Sequence, residues 1–437
     1  QFFSHGAIIS WFFVTLLPYL KLYIVKVVII NRSDLRGGAA ISSYRLMQAL
    51  RSEGVDATML VCDALGQDEH VVSYAHPLLD KFHFLAERLQ IFFSNKFSLN
   101  NLFKVDTADW GRDISAHPLL QDADVIMLNW INQGALSLQC IERICRMGKP
   151  VVWTMHDMWN CTGICHHAYD CTRYKKFCGE CKYLNSDLYG DLSYRTRRKK
   201  KELYEMPNLH FVAVSNWLAG KCAESSLLRY DPIKVIPNTM PVETFSYNRK
   251  PNEDYHLPAD VKVIAMGAAR LDDAVKGFDL LIDTTRHIKQ YRPELAQKLH
   301  LLLFGDIRDA SLLQKLAIPY THLGRVSNDD VRDIMVHSDI VLSTSLYESF
   351  GGTLVEGLAS GCVPVTFGNG GQTDIVDHME TGYVAQYKSV EDVAAGIEWA
   401  VSNALDRSML HNEVVRRFSP SVVAQQYIEY INTLLDR

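Results

Sequence analysis

Two glutamates, Glu348 and Glu356, flank a glycine pair in the segment YESFGGTLVEGLASGCVPV, Tyr347–Val365. Gly351, Gly352 and Thr353 lead into a run of helix formers, so a helix is expected to start there. The unpaired N–H groups at a helix start, with the positive end of the helix dipole, suit a phosphate or diphosphate. The glycines let the backbone approach such a ligand without a side chain in between. Glu356 would sit about one turn into the helix, within reach of a ribose hydroxyl. Glu348 would precede it at a strand end, where a sugar carried on the diphosphate lies. The spacing E-x7-E alone also fits two ordinary surface glutamates; its setting between two apolar strands makes it more specific. Arg270 and Lys276 follow another apolar strand, VIAMGA. Solvated loop charges are the bland reading of that pair. The functional one is charge neutralisation of a leaving diphosphate, the task a divalent metal performs in other enzymes.

Together these residues resemble the donor half of a retaining GT-B glycosyltransferase (glycosyltransferase family 4, "glycosyl transferases group 1"). Arg270 and Lys276 match the family's R…KG pair, and Glu348, Phe350 and Gly351 its E-x-F-G. GNGGQTDIV (Gly368–Val376) matches its G-G-x-x-E-I-V segment with Asp374 for the usual Glu. Gly37–Gly38, WTMHD, AVSNW and VIPN resemble segments of its N-terminal half, so the likeness runs from Val25 to about Arg437. It implies an α/β, GT-B fold: two Rossmann-like domains facing across a cleft, with a C-terminal helix crossing back. It implies that Glu356 holds the ribose and Glu348 contacts the transferred sugar. Arg270 and Lys276 would hold the diphosphate, with Gly37, Gly38, Phe350, Gly351, Gly352 and Thr353 completing the donor site. His156 would stand on the acceptor side. The implied reaction moves a sugar from a UDP-, GDP- or ADP-sugar to a saccharide or lipid-linked acceptor, with retention and no catalytic metal. The place implied is the cytoplasm, at the inner face of a membrane. A nucleotide-sugar epimerase and a non-catalytic nucleotide-sugar-binding protein are the competing readings. A nicotinamide oxidoreductase is disfavoured, because no G-x-G-x-x-G follows the first strand of either half. Asp122 and Asp124 form a D-x-D before a buried strand and read as structural.

Five of the ten cysteines fall between Cys161 and Cys181. Cys165, Cys171, Cys178 and Cys181 are spaced C-x5-C-x6-C-x2-C, which suits a structural zinc clip in a reducing compartment. His166 and His167 are substitute ligands; disulfides and free thiols are the alternatives. The run RTRRKKK (Arg195–Lys201) reads as a solvated helix face, or as a docking site for anionic lipid.

The elements that must position these residues follow a βα alternation. VKVVIIN (Val25–Asn31), ATMLVC (Ala57–Cys62), VIMLNW (Val125–Trp130), PVVWTMHD (Pro150–Asp157) and HFVAVS (His210–Ser215) read as strands buried on both faces. Lys234–Asp260 holds four prolines and reads as a linker. Alternation then resumes with VKVIAMGA (Val261–Ala268), HLLLFG (His300–Gly305), DIVLSTS (Asp339–Ser345) and CVPVTF (Cys362–Phe367). The expected organisation is an extension at 1–24, an acceptor-binding domain at 25–244 with the cysteine insert at 161–181, a donor domain at 245–415 and a returning helix at 416–437. The uncharged start, Ala7–Leu20, is too short to span a bilayer alone; it reads as a dispensable extension or an interfacial anchor.

The 437 residues contain 48% hydrophobic and 22% charged residues, which excludes a disordered chain or a polytopic membrane protein. With 45 Lys and Arg against 50 Asp and Glu, the net charge of −5 argues against nucleic-acid binding by an overall basic surface.

Overall fold

The computed structural model describes residues 24–436. The expected N-terminal extension therefore lies outside the described residues, but for its last position.

Two parallel sheets carry the chain. The first contains β1 (Lys26–Ser33), β2 (Asp56–Asp63), β3 (Val71–Ser73), β4 (Val125–Leu128), β5 (Val151–Met155), β6 (Leu209–Ala213) and β7 (Ile233–Val235), in the order β3-β2-β1-β4-β5-β6-β7. The second contains β8 (Lys262–Arg270), β9 (Leu299–Asp306), β10 (Tyr320–His322), β11 (Ile340–Ser343), β12 (Val363–Phe367) and β13 (Tyr383–Ala385), in the order β10-β9-β8-β11-β12-β13. Along β1, Val28 and Ile30 enter one apolar cluster, and Val27 and Ile29 enter another on the opposite face. Burial on both faces explains why these strands read as unbroken apolar runs. In each sheet the strand order reverses beside the first strand of that half, at β1/β4 and at β8/β11. Ligands of such sheets bind beyond the carboxyl ends of the strands at these switch points. The turns carrying Gly37, Asn129, Lys276 and Glu348 all leave from there.

Nine of the thirteen described strands fall where the sequence places them. The other four, β3, β7, β10 and β13, are three-residue edge strands with only partial burial. β7 also opens the segment expected to be linker throughout. A further helix, Pro77–Ser94, occupies a stretch to which the apolar pattern assigns no element.

The last two described helices, Arg407–Phe418 and Pro420–Leu434, are separated at Ser419 by a proline that begins the second one. The latter helix leaves its own domain and covers the first sheet. Val423, Ala424, Tyr427 and Ile431 pack with Val27, Met47 and Met127, and Tyr427 Oη shares a hydrogen bond of 3.2 Å with Thr154 Oγ1. At roughly 1.5–3 kcal/mol for each large apolar side chain buried, this return is a substantial part of the N-terminal core.

Candidate active site between the domains

Lys276 ends a short turn, Ala274–Lys276, and the next residue starts the Phe278–Tyr291 helix. That residue must be glycine: Gly277 has φ +65°, and a Cβ there would stand 2.1 Å from the Thr344 carbonyl oxygen. The tight packing aims the Lys276 ammonium at Glu348, whose Oε2 accepts from it at 2.9 Å. The Glu348 charge raises the lysine's pKa against the opposing effect of burial.

Beyond β11, the Gly352–Ala359 helix begins at an N-cap, Gly351, with φ +109°. Above the helix start there is room: a Cβ on Gly352 would meet nothing nearer than Met240 Cε at 3.6 Å. From the other domain the Gly38–Ser52 helix presents its own N-terminus, capped by Gly37, and a Cβ on Gly37 or Gly38 would meet nothing within 4 Å. Both helix starts line one cavity of about 1380 Å³, together with Lys276, Glu348, Phe350, Thr353, Glu356 and His156. Burial pushes the Glu356 carboxyl up to about 7, against the lowering influence of Arg45 and Arg332. Arg45 lines the same cavity from the N-terminal domain.

Of the expected donor residues, Arg270 alone does not line the cavity. Its guanidinium is turned onto Asp272 and Asp273, each at 3.3 Å. Asp374 also serves elsewhere: its carboxylate accepts from the Asn216 backbone N–H, at the start of a helix in the opposite domain. Beside it, Ser215 Oγ donates to the Ser349 carbonyl at 2.7 Å, so the loop carrying Glu348 is fastened across the cleft.

In the N-terminal domain, His156 follows β5 and its Nε2 stands 2.8 Å from Asn129 Oδ1. Burial pushes its pKa down to about 4, so the imidazole is neutral at ordinary pH. The next residue begins a buried charge relay. His166 lies between Asp157 Oδ2 at 2.8 Å and Asp106 Oδ2 at 2.6 Å. Burial alone would lower the imidazolium's pKa, but the two carboxylates outweigh it and raise it to about 10. Asp157 is in turn held at about 2: burial would raise it, and His166 overrides that. Asp157 also accepts from Trp130 Nε1 at 3.2 Å and from the Trp159 backbone N–H at 2.7 Å. The sequence offered one signal for this relay, the carboxylate adjoining His156. It offered none for Arg45, beyond its sharing a helix face with Gly38 and Ser42.

The cysteine insert does not form the expected clip. Among the described residues no group of three or more His, Cys, Asp or Glu side chains is arranged to hold a metal ion, and all ten cysteines are free thiols. His166 is committed to its two carboxylates. Burial pushes Cys178 up to about 12 and Cys181 to about 11. Cys165 nonetheless lies close enough to Cys171, Cys178 and Cys181 to feel their charges. Apolar packing holds the insert instead: Cys165, Tyr183 and Leu184 cluster with Ile91, Val105 and Ile164. RTRRKKK is a solvated helix face only in part: Arg195, Arg198, Lys199 and Lys201 are exposed. Lys200 is fully buried, with Nζ donating to the Trp159 carbonyl at 2.6 Å and lying 3.2 Å from the Trp159 ring centroid. Lys199 pairs with Asp109, and Arg197 donates to Ser226 Oγ at 3.1 Å. Asp122 and Asp124 both hold Lys26 at the start of β1, through its ammonium at 2.6 Å and its backbone N–H at 2.8 Å.

Comparison with known proteins agrees with this architecture. The model of Glycosyltransferase Family 4 matches residues 36–244, and that of Glycosyl transferases group 1 matches residues 252–416. The chain is 28% identical over 230 residues to the phosphatidylinositol N-acetylglucosaminyltransferase GPI3 subunit of Saccharomyces cerevisiae (strain YJM789), covering 48% of this chain and 49% of that protein. It is 32% identical over 121 residues to mannosylfructose-phosphate synthase of Agrobacterium fabrum, covering 25% and 26% of the two. The chain thus spans about half, or less, of the length of these curated relatives. Among solved structures, a glycosyltransferase from Rickettsia africae superposes with a TM-score of 0.64 at 16% identity, covering 95% of this chain and 99% of that one. Anabaena HepE in complex with UDP and glucose superposes with a TM-score of 0.61 at 17% identity, covering 94% and 100%. With both halves matched in order on two parallel-sheet domains, the chain belongs to the family 4, group 1 glycosyltransferases and has their GT-B fold.

Proposed function

We propose that this protein transfers a sugar from a nucleotide-sugar donor to a saccharide or lipid-linked acceptor, with retention of the anomeric configuration. One observation carries the reading: helix N-termini from both domains, the Lys276–Glu348 pair and Glu356 all face a single cavity. A diphosphate set between the two helix starts would meet N–H donors from both sides and the Lys276 ammonium. Glu356, one turn into its helix, would accept from the ribose hydroxyls, and Glu348 would contact the sugar. Arg270 would join the diphosphate on leaving Asp272 and Asp273. His156, being neutral, would orient the sugar through hydrogen bonds and would not act as an acid. In the proposed front-face reaction, the acceptor hydroxyl attacks the anomeric carbon while the leaving phosphate oxygen takes its proton.

HepE, crystallised with UDP and glucose, supports trying UDP-sugars first, and the phosphatidylinositol transferase supports a lipid-linked acceptor. The test is a panel of UDP-, GDP- and ADP-sugars screened by thermal shift, followed by nucleotide release with and without acceptor. Release only in the presence of acceptor, with a product of the donor's anomeric configuration, is the expected result. Donor turnover without acceptor would instead favour an epimerase, and an inverted product would overturn the retaining assignment.

A further inference from the structure

The helix Pro77–Ser94 is amphipathic in the reverse of the usual sense. Its buried face carries Glu87, Arg88 and Ile91. Glu87 Oε1 accepts from the backbone N–H groups of Thr107 at 2.9 Å and Ala108 at 2.8 Å, and Arg88 pairs with Glu87 and Asp106. The outward face carries Leu78, Phe82, Leu85, Leu89 and Phe93, each between 46% and 78% exposed. At 3.6 residues per turn these five fall within a sector of about 80°. The apolar surface continues past the helix end through Phe97, Leu99 and Phe103, all more than 60% exposed, with the Phe93 and Phe97 rings 5.6 Å apart. A monomeric soluble domain rarely leaves so continuous an apolar stripe in water.

Charge identifies what covers it. Between residues 75 and 104 the exposed charged side chains are Lys81, Lys96 and Lys104. The only two acids there are withdrawn: Glu87 is fully buried, and Asp80 is 13% exposed and paired with Arg112. Lys96 makes a 3.1 Å pair with the exposed Asp187 that follows the cysteine insert. An apolar stripe flanked by the exposed Lys81 and Lys104 complements an anionic phospholipid surface. At 18 residues, about 27 Å, the helix has the length to lie in the interface plane, and no described helix is long and apolar enough to cross a membrane. The stripe is also continuous with the site, because Pro77, Lys81, Phe84, Phe103 and Lys104 line the acceptor end of the cavity.

We infer that the Pro77–Ser94 helix and the following loop through Lys104 form a docking surface for an anionic lipid bilayer, opening the acceptor end of the cavity onto the membrane interface. What enters there rests on the proposed transfer reaction; the docking does not. The test is sedimentation of the full-length protein with vesicles of phosphatidylcholine, with and without phosphatidylglycerol. Binding should strengthen with the anionic lipid. The triple variant Phe82→Ser, Leu89→Ser and Phe93→Ser should bind more than tenfold more weakly, while keeping the wild-type melting temperature and donor-induced thermal shift, since none of the three lines the cavity. As a second reading, Leu85→Trp should show a blue-shifted emission on vesicles and none on adding donor. A triple variant that sediments like the wild type would overturn the inference. So would a wild-type dimer that the triple variant breaks, which would assign the stripe to a second copy. Binding is read without donor or acceptor, so a failed transfer assay and a failed vesicle assay are distinguishable.

Discussion

Glu356 should make donor binding depend on pH in a way that its own replacement removes. In the free protein burial holds its carboxyl at about 7, against an ordinary value of 4.5. Only the ionised form can accept from both ribose hydroxyls. Its ionised fraction is about one in eleven at pH 6 and about ten in eleven at pH 8, so the apparent Kd for a nucleotide sugar should be about tenfold weaker at pH 6, close to 1.4 kcal/mol. The donor's esterified diphosphate stays ionised across this window, and His156, at about 4, titrates below it. Calorimetric titration between pH 5.5 and 8.5, in buffers of different ionisation enthalpy, should show about 0.9 proton released per donor bound at pH 6. Glu356→Gln should flatten the profile and abolish the release. Stability should move with the same group. The unfolded carboxylate ionises from about 4.5 and the folded one only near 7, so stability falls as pH rises between those values, and Glu356→Gln should lessen that fall. A wild-type affinity flat from pH 6 to 8, or a slope that survives in Glu356→Gln, would refute the assignment.

Lys276→Ala should cut transfer by about 10²–10³-fold through lost stabilisation of the leaving diphosphate, with little change in melting temperature because both partners of its pair are partly exposed; transfer kinetics beside a melting curve checks both. His166→Ala should cost about 3–5 kcal/mol in denaturant unfolding, because it leaves the buried Asp157 carboxylate without its cation, while Asp106 keeps Arg88. The His166 contribution should be full below its ordinary value of 6.5 and be lost as pH rises through about 10. Dialysis against a chelator should leave the melting temperature unchanged and elemental analysis should find no stoichiometric zinc; bound zinc with destabilisation on its removal would restore the four-thiolate clip.

The parts of this molecule that were legible from sequence share a physical cause. β1, β5 and β8 are buried on both faces, so their central residues had to be apolar. The glycines at 277 and 351 are demanded by backbone conformation, and the pair at 351–352 drew attention to Glu348 beside it. The edge strands β3, β7, β10 and β13 pack on few neighbours and leave no apolar run. The Pro77–Ser94 helix escaped notice because its charged residues face inward and its apolar ones outward, against the expectation of a core-facing stripe. The cysteine spacing permits a zinc site but does not require one, and Tyr183, Leu184 and Ile91 supply packing that no spacing rule registers. The relay from Asp157 through His166 to Asp106 joins residues far apart in the chain, a pairing that one sequence cannot display.

The return of the Pro420–Leu434 helix ties the order of synthesis to the order of folding. The first sheet is made early, yet the part of one face not covered by the Gly38–Ser52 helix stays open to water until the Pro420–Leu434 segment leaves the ribosome and Tyr427 reaches Thr154. Folding therefore cannot run to completion domain by domain from the amino end. The N-terminal half should need protection from aggregation during translation, and it should recover its stability when the Pro420–Leu434 segment is supplied as a separate peptide.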